Sequence, residues 1–139
     1  MKIMAIDYGD ARSGVAVSDR TGTLCGFSAV VAARTPEAAL ARLLPLIAEH
    51  EVTELVLGHP VNMNGTRGPR AEKTEAFAGL LREATGLPVT LWDERRTTVD
   101  AHNILAANGR RMKEHKKNVD AVAASLLLEG YLAFKKREV

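Results

Sequence analysis

The chain has 139 residues, 46% of them apolar but only 4% aromatic, so it has the length of one domain with a core of Ala, Val, Leu and Ile. Its net charge of +2 is only mildly basic, and its single cysteine, Cys25, excludes an internal disulfide or a cysteine-based metal knuckle. Apolar runs are too short and too often broken by charge to cross a bilayer, and the apolar start meets Asp7 too early for a signal peptide. A cytoplasmic protein without membrane contact is expected.

The first strand is Lys2-Ile3-Met4-Ala5-Ile6-Asp7-Tyr8-Gly9. Its apolar run reads as buried on both faces. Asp is depleted in strands and costly to bury unpaired, so Asp7 either caps a turn or is held there to bind something cationic. Gly9 and Gly14 bracket a tight turn into a second strand, Val15-Ala16-Val17-Ser18-Asp19. A metal site and a phosphate-binding loop both fit that unit. Arg20 to Thr23 is a hairpin turn and Leu24 to Val31 a third strand, which makes an antiparallel meander. Cys25 falls on that strand with no histidine nearby in sequence, which argues against a nucleophile.

Thr35, Pro36 and Glu37 open a helix as N-cap, first-turn proline and first-turn acid. Its stripe is Ala39, Leu40, Leu43, Leu44 and Ile47, and Pro45 is expected to kink it or end it early. Thr53 to Gly58 is a fourth strand. His59 to Pro69 is rich in turn formers. A second helix follows from Arg70 to Ala84, with Ala71, Phe77, Ala78, Leu80 and Leu81 inward, closed by Gly86. Val89 to Trp92 is a fifth strand, and Asp93-Glu94-Arg95-Arg96 leaves its end. A third helix is capped by Thr97 or Thr98 and stops at Gly109. A basic loop carries Arg110, Arg111, Lys113, Lys116 and Lys117. The last helix begins near Asn118, with Val119, Val122, Ala123, Leu126, Leu127 and Leu132 on its apolar side. No repeat or linker interrupts residues 1–139, so one domain is expected.

Strands separated by single helices run parallel through right-handed crossovers. The order therefore predicts an α/β fold: a mixed five-stranded sheet, an antiparallel three-strand meander plus two parallel strands, flanked by helices. Functional groups in such sheets gather at the carboxyl ends of the parallel strands. Those ends carry Asp7, the Gly58-His59-Pro60 turn and Asp93-Glu94.

Three carboxylates stand out there: Asp7, Glu94 and Asp120. Asp120 has a plain reading as an acid near a helix N-terminus, and Glu94 as a surface partner of Arg95 or Arg96. Together, two acids at strand ends and one at a helix start suit a hard divalent ion such as Mg²⁺ or Mn²⁺. Two such ions about 4 Å apart clamp both sides of an in-line phosphoryl displacement. His50, His59, His102 and His115 are scattered and are expected mostly at the surface.

Four blocks in order carry a resemblance that runs essentially end to end. They are Ile6-Asp7-Tyr8-Gly9 through Gly14-Val15-Ala16-Val17-Ser18-Asp19; Gly58-His59-Pro60-Val61-Asn62-Met63-Asn64-Gly65 with Gly68-Pro69; Trp92-Asp93-Glu94-Arg95-Arg96-Thr97-Thr98; and Val119-Asp120-Ala121-Val122-Ala123-Ala124. In these the chain resembles the YqgF (RuvX-like) family, which has an RNase H-like fold. That family is described both as Holliday junction resolvases and as nucleases maturing the 5′ end of the small-subunit ribosomal RNA precursor. The resemblance implies Asp7, Glu94 and Asp120 as the acidic triad. Two departures stand out. The strand beside the first ends in Gly58-His59-Pro60 with no carboxylate, so Glu94 would reach in from the next strand. His59 also stands where the family usually has an aliphatic residue.

The leading expectation is a metal-dependent nuclease acting on pre-rRNA, with a branched DNA junction as the alternative substrate. Arg95, Arg96, Arg110, Arg111, Lys113, Lys116 and Lys117 would hold backbone phosphates, and Asn62 and Asn64 would belong to a substrate-contacting loop. A monomer or weak homodimer is compatible with either substrate. Two other classes are weighed. A phosphotransferase also starts with Asp-x-Gly on its first strand, but needs two lobes to enclose a nucleotide. A non-catalytic nucleic-acid binding module would not require all three acids.

Overall fold

The computed structural model describes residues 2–19, 25–60, 68–93 and 119–138, with side chains in the last segment described for 122–135. Five strands and three helices lie in these segments: β1 (Lys2–Asp7), β2 (Arg12–Ser18), β3 (Cys25–Ala32), α1 (Pro36–Glu49), β4 (Val52–His59), α2 (Pro69–Thr85), β5 (Val89–Asp93) and α3 (Val119–Glu138). The sheet order is β3-β2-β1-β4-β5. β1 pairs antiparallel with β2 and β2 with β3, while β1–β4 and β4–β5 are parallel. The expected meander plus two parallel strands is therefore the sheet that forms. The hairpin turn and the third predicted helix lie outside the described residues.

The sheet has a core on each face because β1, β2 and β4 are apolar on both. Met4, Ile6, Val15, Val17, Leu55 and Leu57 join α1 and α2. Ile3, Ala5, Ala16, Val56 and Trp92 join α3. Strict alternation along each strand produces this split. On the α1/α2 side Phe77 is buried and stacks on Tyr8, with centroids 4.2 Å apart. Burying such a ring contributes about 2–3 kcal/mol.

The helix ends follow the sequence signals. The Thr35 hydroxyl accepts from the Ala38 N–H at 3.1 Å. Gly86 is left-handed at φ 68° and donates its N–H to the Arg82 carbonyl at 2.9 Å. One alternative is excluded and one expectation needs correction. Pro45 does not end α1, which continues to Glu49. The proline removes one helical donor, but Leu43 and Ile47 on either side of it are buried in the core and hold the turn. The buried face of α3 is also rotated from the one expected. Ala124, Leu127, Leu128, Tyr131 and Leu132 are buried, whereas Val122, Ala123 and Leu126 are only half-buried.

Candidate active site

Asp7 closes the central strand, half-buried, at the carboxyl end of the parallel strands. Ile6 points to the α1/α2 core and Ala5 to the α3 core, so alternation puts Asp7 on the α3 face. Its partner on β2 is Gly14. On the other side Ile6 pairs with Leu57, and one further step of that register sets Asp7 beside Gly58. Both glycines fall on the α3 face, since Val15 and Leu57 belong to the opposite core. Both neighbouring strands therefore place a glycine directly beside Asp7 on that face. The next residue along the row is Trp92, paired with Gly58, and its ring packs on Tyr131 and Phe134 of α3.

The turn after Asp7 is tight. A Cβ on Gly9 would lie 2.3 Å from the Arg12 carbonyl oxygen. The Gly9 N–H donates to the buried Ser13 hydroxyl at 3.3 Å. This closure fixes the backbone two residues beyond Asp7, a rigid support of the kind a ligand carboxylate needs. Tyr8 has its hydroxyl pKa raised, first by burial and then by the negative charges of Asp10 and Glu37. Outside the turn, Lys73 reaches the Asp10 carboxylate at 3.3 Å, an exposed pair of little energetic weight.

His59 ends β4 in register with Asp93 of β5. By alternation it faces α2, where its Nε2 lies 2.7 Å from a Glu75 carboxylate oxygen. It is thus neither a surface residue nor a member of the Asp7 face. The turn accommodates this polar ring because α2 supplies a partner. His50 likewise packs on Phe27, 4.3 Å between ring centres. Cys25 lies on β3, its thiol donating to the Phe27 carbonyl at 3.3 Å and lying 3.6 Å from the Ser125 hydroxyl.

Among the described residues, no three His, Cys, Asp or Glu side chains converge as a metal cluster. Of the expected triad, Asp7 is described in full and Asp120 by its backbone in the first turn of α3, while Glu94 lies outside the described residues. So do Asn62, Asn64, Arg95, Arg96, Arg110, Arg111, Lys113, Lys116 and Lys117. The donor chemistry at Asp7 fits a hard divalent ion: a carboxylate oxygen on a rigid strand end. Sequence reading took Gly14 and Gly58 as turn formers and missed them as the flanks of Asp7. Their parity with Val15 and Leu57 was the available signal. No helix among the described residues is long and apolar enough to cross a membrane.

The profile of the RuvX family, described as Holliday junction resolvase, matches residues 1–134. A Halothermothrix orenii protein is 43% identical over 137 residues, covering 99% of this chain and 98% of its own length. One from Desulfitobacterium hafniense (strain DSM 10664 / DCB-2) is 44% identical over 139 residues, covering 99% and 96%. Both carry the provisional name pre-16S rRNA nuclease. Among solved structures, T. thermophilus RuvC in complex with a Holliday junction substrate aligns with a TM-score of 0.65 at 15% identity, covering 99% of this chain and 96% of its own. The fowlpox virus Holliday junction resolvase aligns with a TM-score of 0.58 at 14% identity, covering both chains fully. At these identities the likeness is one of fold, the RNase H-like fold of resolvases.

Proposed function

The chain belongs to the RuvX family of Holliday junction resolvases, and on that premise we propose that it is a divalent-metal-dependent endonuclease that matures the 5′ end of pre-16S rRNA. The observation that carries the reading is Asp7, held at the end of the central strand on the α3 face between Gly14 and Gly58. Relatives above 40% identity along nearly the whole chain, named for pre-16S rRNA, favour that substrate. The family description supports a branched DNA junction as the second reading.

Asp7, Glu94 and Asp120 are the proposed ligands of Mg²⁺ or Mn²⁺. Bound there, the ion supplies Lewis-acid activation of water and charge stabilisation at the leaving oxygen. The chain's own part is to hold oxygen donors rigidly. Position 120 lies one helical turn before Ala124, which is buried against the sheet on the Asp7 face, so the first turn of α3 and the end of β1 lie on one side of the sheet. Glu94 follows Asp93 by one residue, and alternation would return it to that side. Because β4 offers Gly58 where an acid would otherwise stand, the donor set spans β1, the residue after β5, and α3. Arg95, Arg96, Arg110, Arg111, Lys113, Lys116 and Lys117 are the proposed phosphate contacts, with Asn62 and Asn64 in the loop after β4. We propose a cytoplasmic monomer or weak homodimer.

The test offers the protein a precursor 16S rRNA and a four-way DNA junction, each with Mg²⁺ or Mn²⁺. Wild type should cut the RNA at its 5′ side, and Asp7→Asn and Asp120→Asn should abolish cleavage while keeping the fold. Junction cleavage without RNA cleavage would move the assignment to the second reading. Full activity in a folded Asp7→Asn protein would refute the site.

A further inference from the structure

A cluster at the far end of α3 has no part in the site described above. Glu54 of β4 is on the α3 face with its side chain 13% exposed. One of its oxygens accepts from the Tyr131 hydroxyl, and the other from the Lys135 ammonium at 2.6 Å. The Tyr131 hydroxyl also lies 3.5 Å from the Thr90 hydroxyl of β5. The Tyr131 ring, buried, meets Trp92 edge-on at 5.4 Å and carries the Lys135 ammonium 5.7 Å from its centre. Burial and the bond to Glu54 raise the Tyr131 pKa, and the bond to Glu54 raises that of Lys135.

We propose that the Glu54–Tyr131–Lys135 clasp is a positioning device for the metal site, fixing the rotation and axial setting of α3 and through them the position of Asp120. This rests on the reading of Asp120 as a ligand. The argument is helical geometry. Eleven residues separate positions 120 and 131, which at about 3.6 per turn is three turns plus roughly 20°, so both lie on one face. Any rotation that unseats Tyr131 turns position 120 by the same angle, about 16 Å along the axis.

The packing between them is apolar and largely non-directional. Ala124 meets the sheet in the cluster that holds Ala5 and Ala16. Small side chains facing one another make a smooth contact that fixes distance but not register. Leu127 and Leu128 add apolar area, which is non-directional. Among the described residues, directional contacts of α3 with the sheet include the bonds at Glu54, the ring contacts of Tyr131 and Phe134 with Trp92, and the side-chain contact of Ser125 with Cys25. Of these, the bonds at Glu54 are charge-assisted and therefore the stronger.

The test uses Tyr131→Phe, which removes the hydroxyl and keeps the ring on Trp92, with Glu54→Gln as a second variant that retains side-chain volume. Lys135→Arg serves as the conservative control. Mn²⁺ affinity is read without substrate, by the electron paramagnetic resonance signal of free Mn²⁺ and by the rise in melting temperature that the ion produces. Tyr131→Phe and Glu54→Gln should remain folded and weaken Mn²⁺ binding several-fold. The Mn²⁺ concentration for half-maximal cleavage should rise in parallel, and Lys135→Arg should behave as wild type. A folded Tyr131→Phe protein with unchanged Mn²⁺ affinity, beside an Asp120→Asn protein that has lost it, would overturn this proposal alone. If Asp120→Asn keeps full Mn²⁺ affinity, the ligand reading itself fails and the clasp has nothing to position.

Discussion

Replacing Gly9 with alanine sets a methyl carbon 2.3 Å from the Arg12 carbonyl oxygen. Even a favourable C–H···O contact keeps carbon and oxygen about 3.3 Å apart, so the turn must open by roughly 1 Å. The obstructing atom is backbone, at the first residue of β2, and cannot swing aside as a side chain would. Forcing an extra carbon into such a contact costs about 1–3 kcal/mol. Opening the turn also stretches the bond from the Gly9 N–H to the buried Ser13 hydroxyl, adding about 1 kcal/mol. A total near 3 kcal/mol is expected. At about 2.1 cal/mol/K per residue, the unfolding entropy of the 139-residue chain is about 0.3 kcal/mol/K, which gives a fall in Tm of about 10 °C. Urea unfolding with an unchanged slope measures the loss directly. Asp7 is two residues away, so cleavage at a temperature where the variant is folded should fall further than its stability implies. A Tm within about 2 °C of wild type, or full activity, would show that the turn is not closed as described.

The basic residues outside the described segments have their own signature. Changing Arg110, Arg111, Lys116 and Lys117 to alanine should weaken nucleic-acid binding and flatten log affinity against log salt by about 0.7 for every phosphate no longer neutralised on single strands. Equal slopes in the salt titration would place the polyanion elsewhere. The clasp at Glu54 predicts an alkaline limit. Tyr131 and Lys135 both have pKa values raised in the folded chain, so their contribution to stability is complete below their ordinary values of 10.0 and 10.5 and is lost as pH rises through the folded values. Urea midpoints from pH 8 to 11 should fall above pH 10, and Tyr131→Phe should remove part of that fall; a parallel fall in the variant counts against it.

The fold was legible where one signal had one physical meaning. The continuous apolar run of β1 announced a strand buried on both faces, and Thr35, Pro36 and Gly86 marked helix ends through local backbone chemistry. Pro45 left the end of α1 open because a propensity belongs to one residue, whereas Leu43 and Ile47 supply burial from the tertiary structure. The face of α3 misled for a different reason. Its apolar residues occur on several sides, so periodicity alone could not choose among them. Tyr131 was overlooked because its burial depends on a carboxylate 77 residues earlier. At the site, Asp7 announced itself as an acid ending an apolar run. The glycines beside it did not, since they flank it only when Gly14 and Gly58 arrive from strands on either side.

The sequence contains one tryptophan, and it lies in the layer beneath α3, touching Tyr131 and Phe134. Its fluorescence is therefore an optical gauge of that layer alone, while far-ultraviolet dichroism reports every helix at once. Neighbouring residues of β1 serve opposite layers: Met4 and Ile6 one, Ile3 and Ala5 the other. Peeling α3 away strips one side of a strand whose other side anchors α1 and α2. The two spectroscopic transitions then coincide, and the emission of Trp92 becomes a measure of cooperativity between the halves of the molecule.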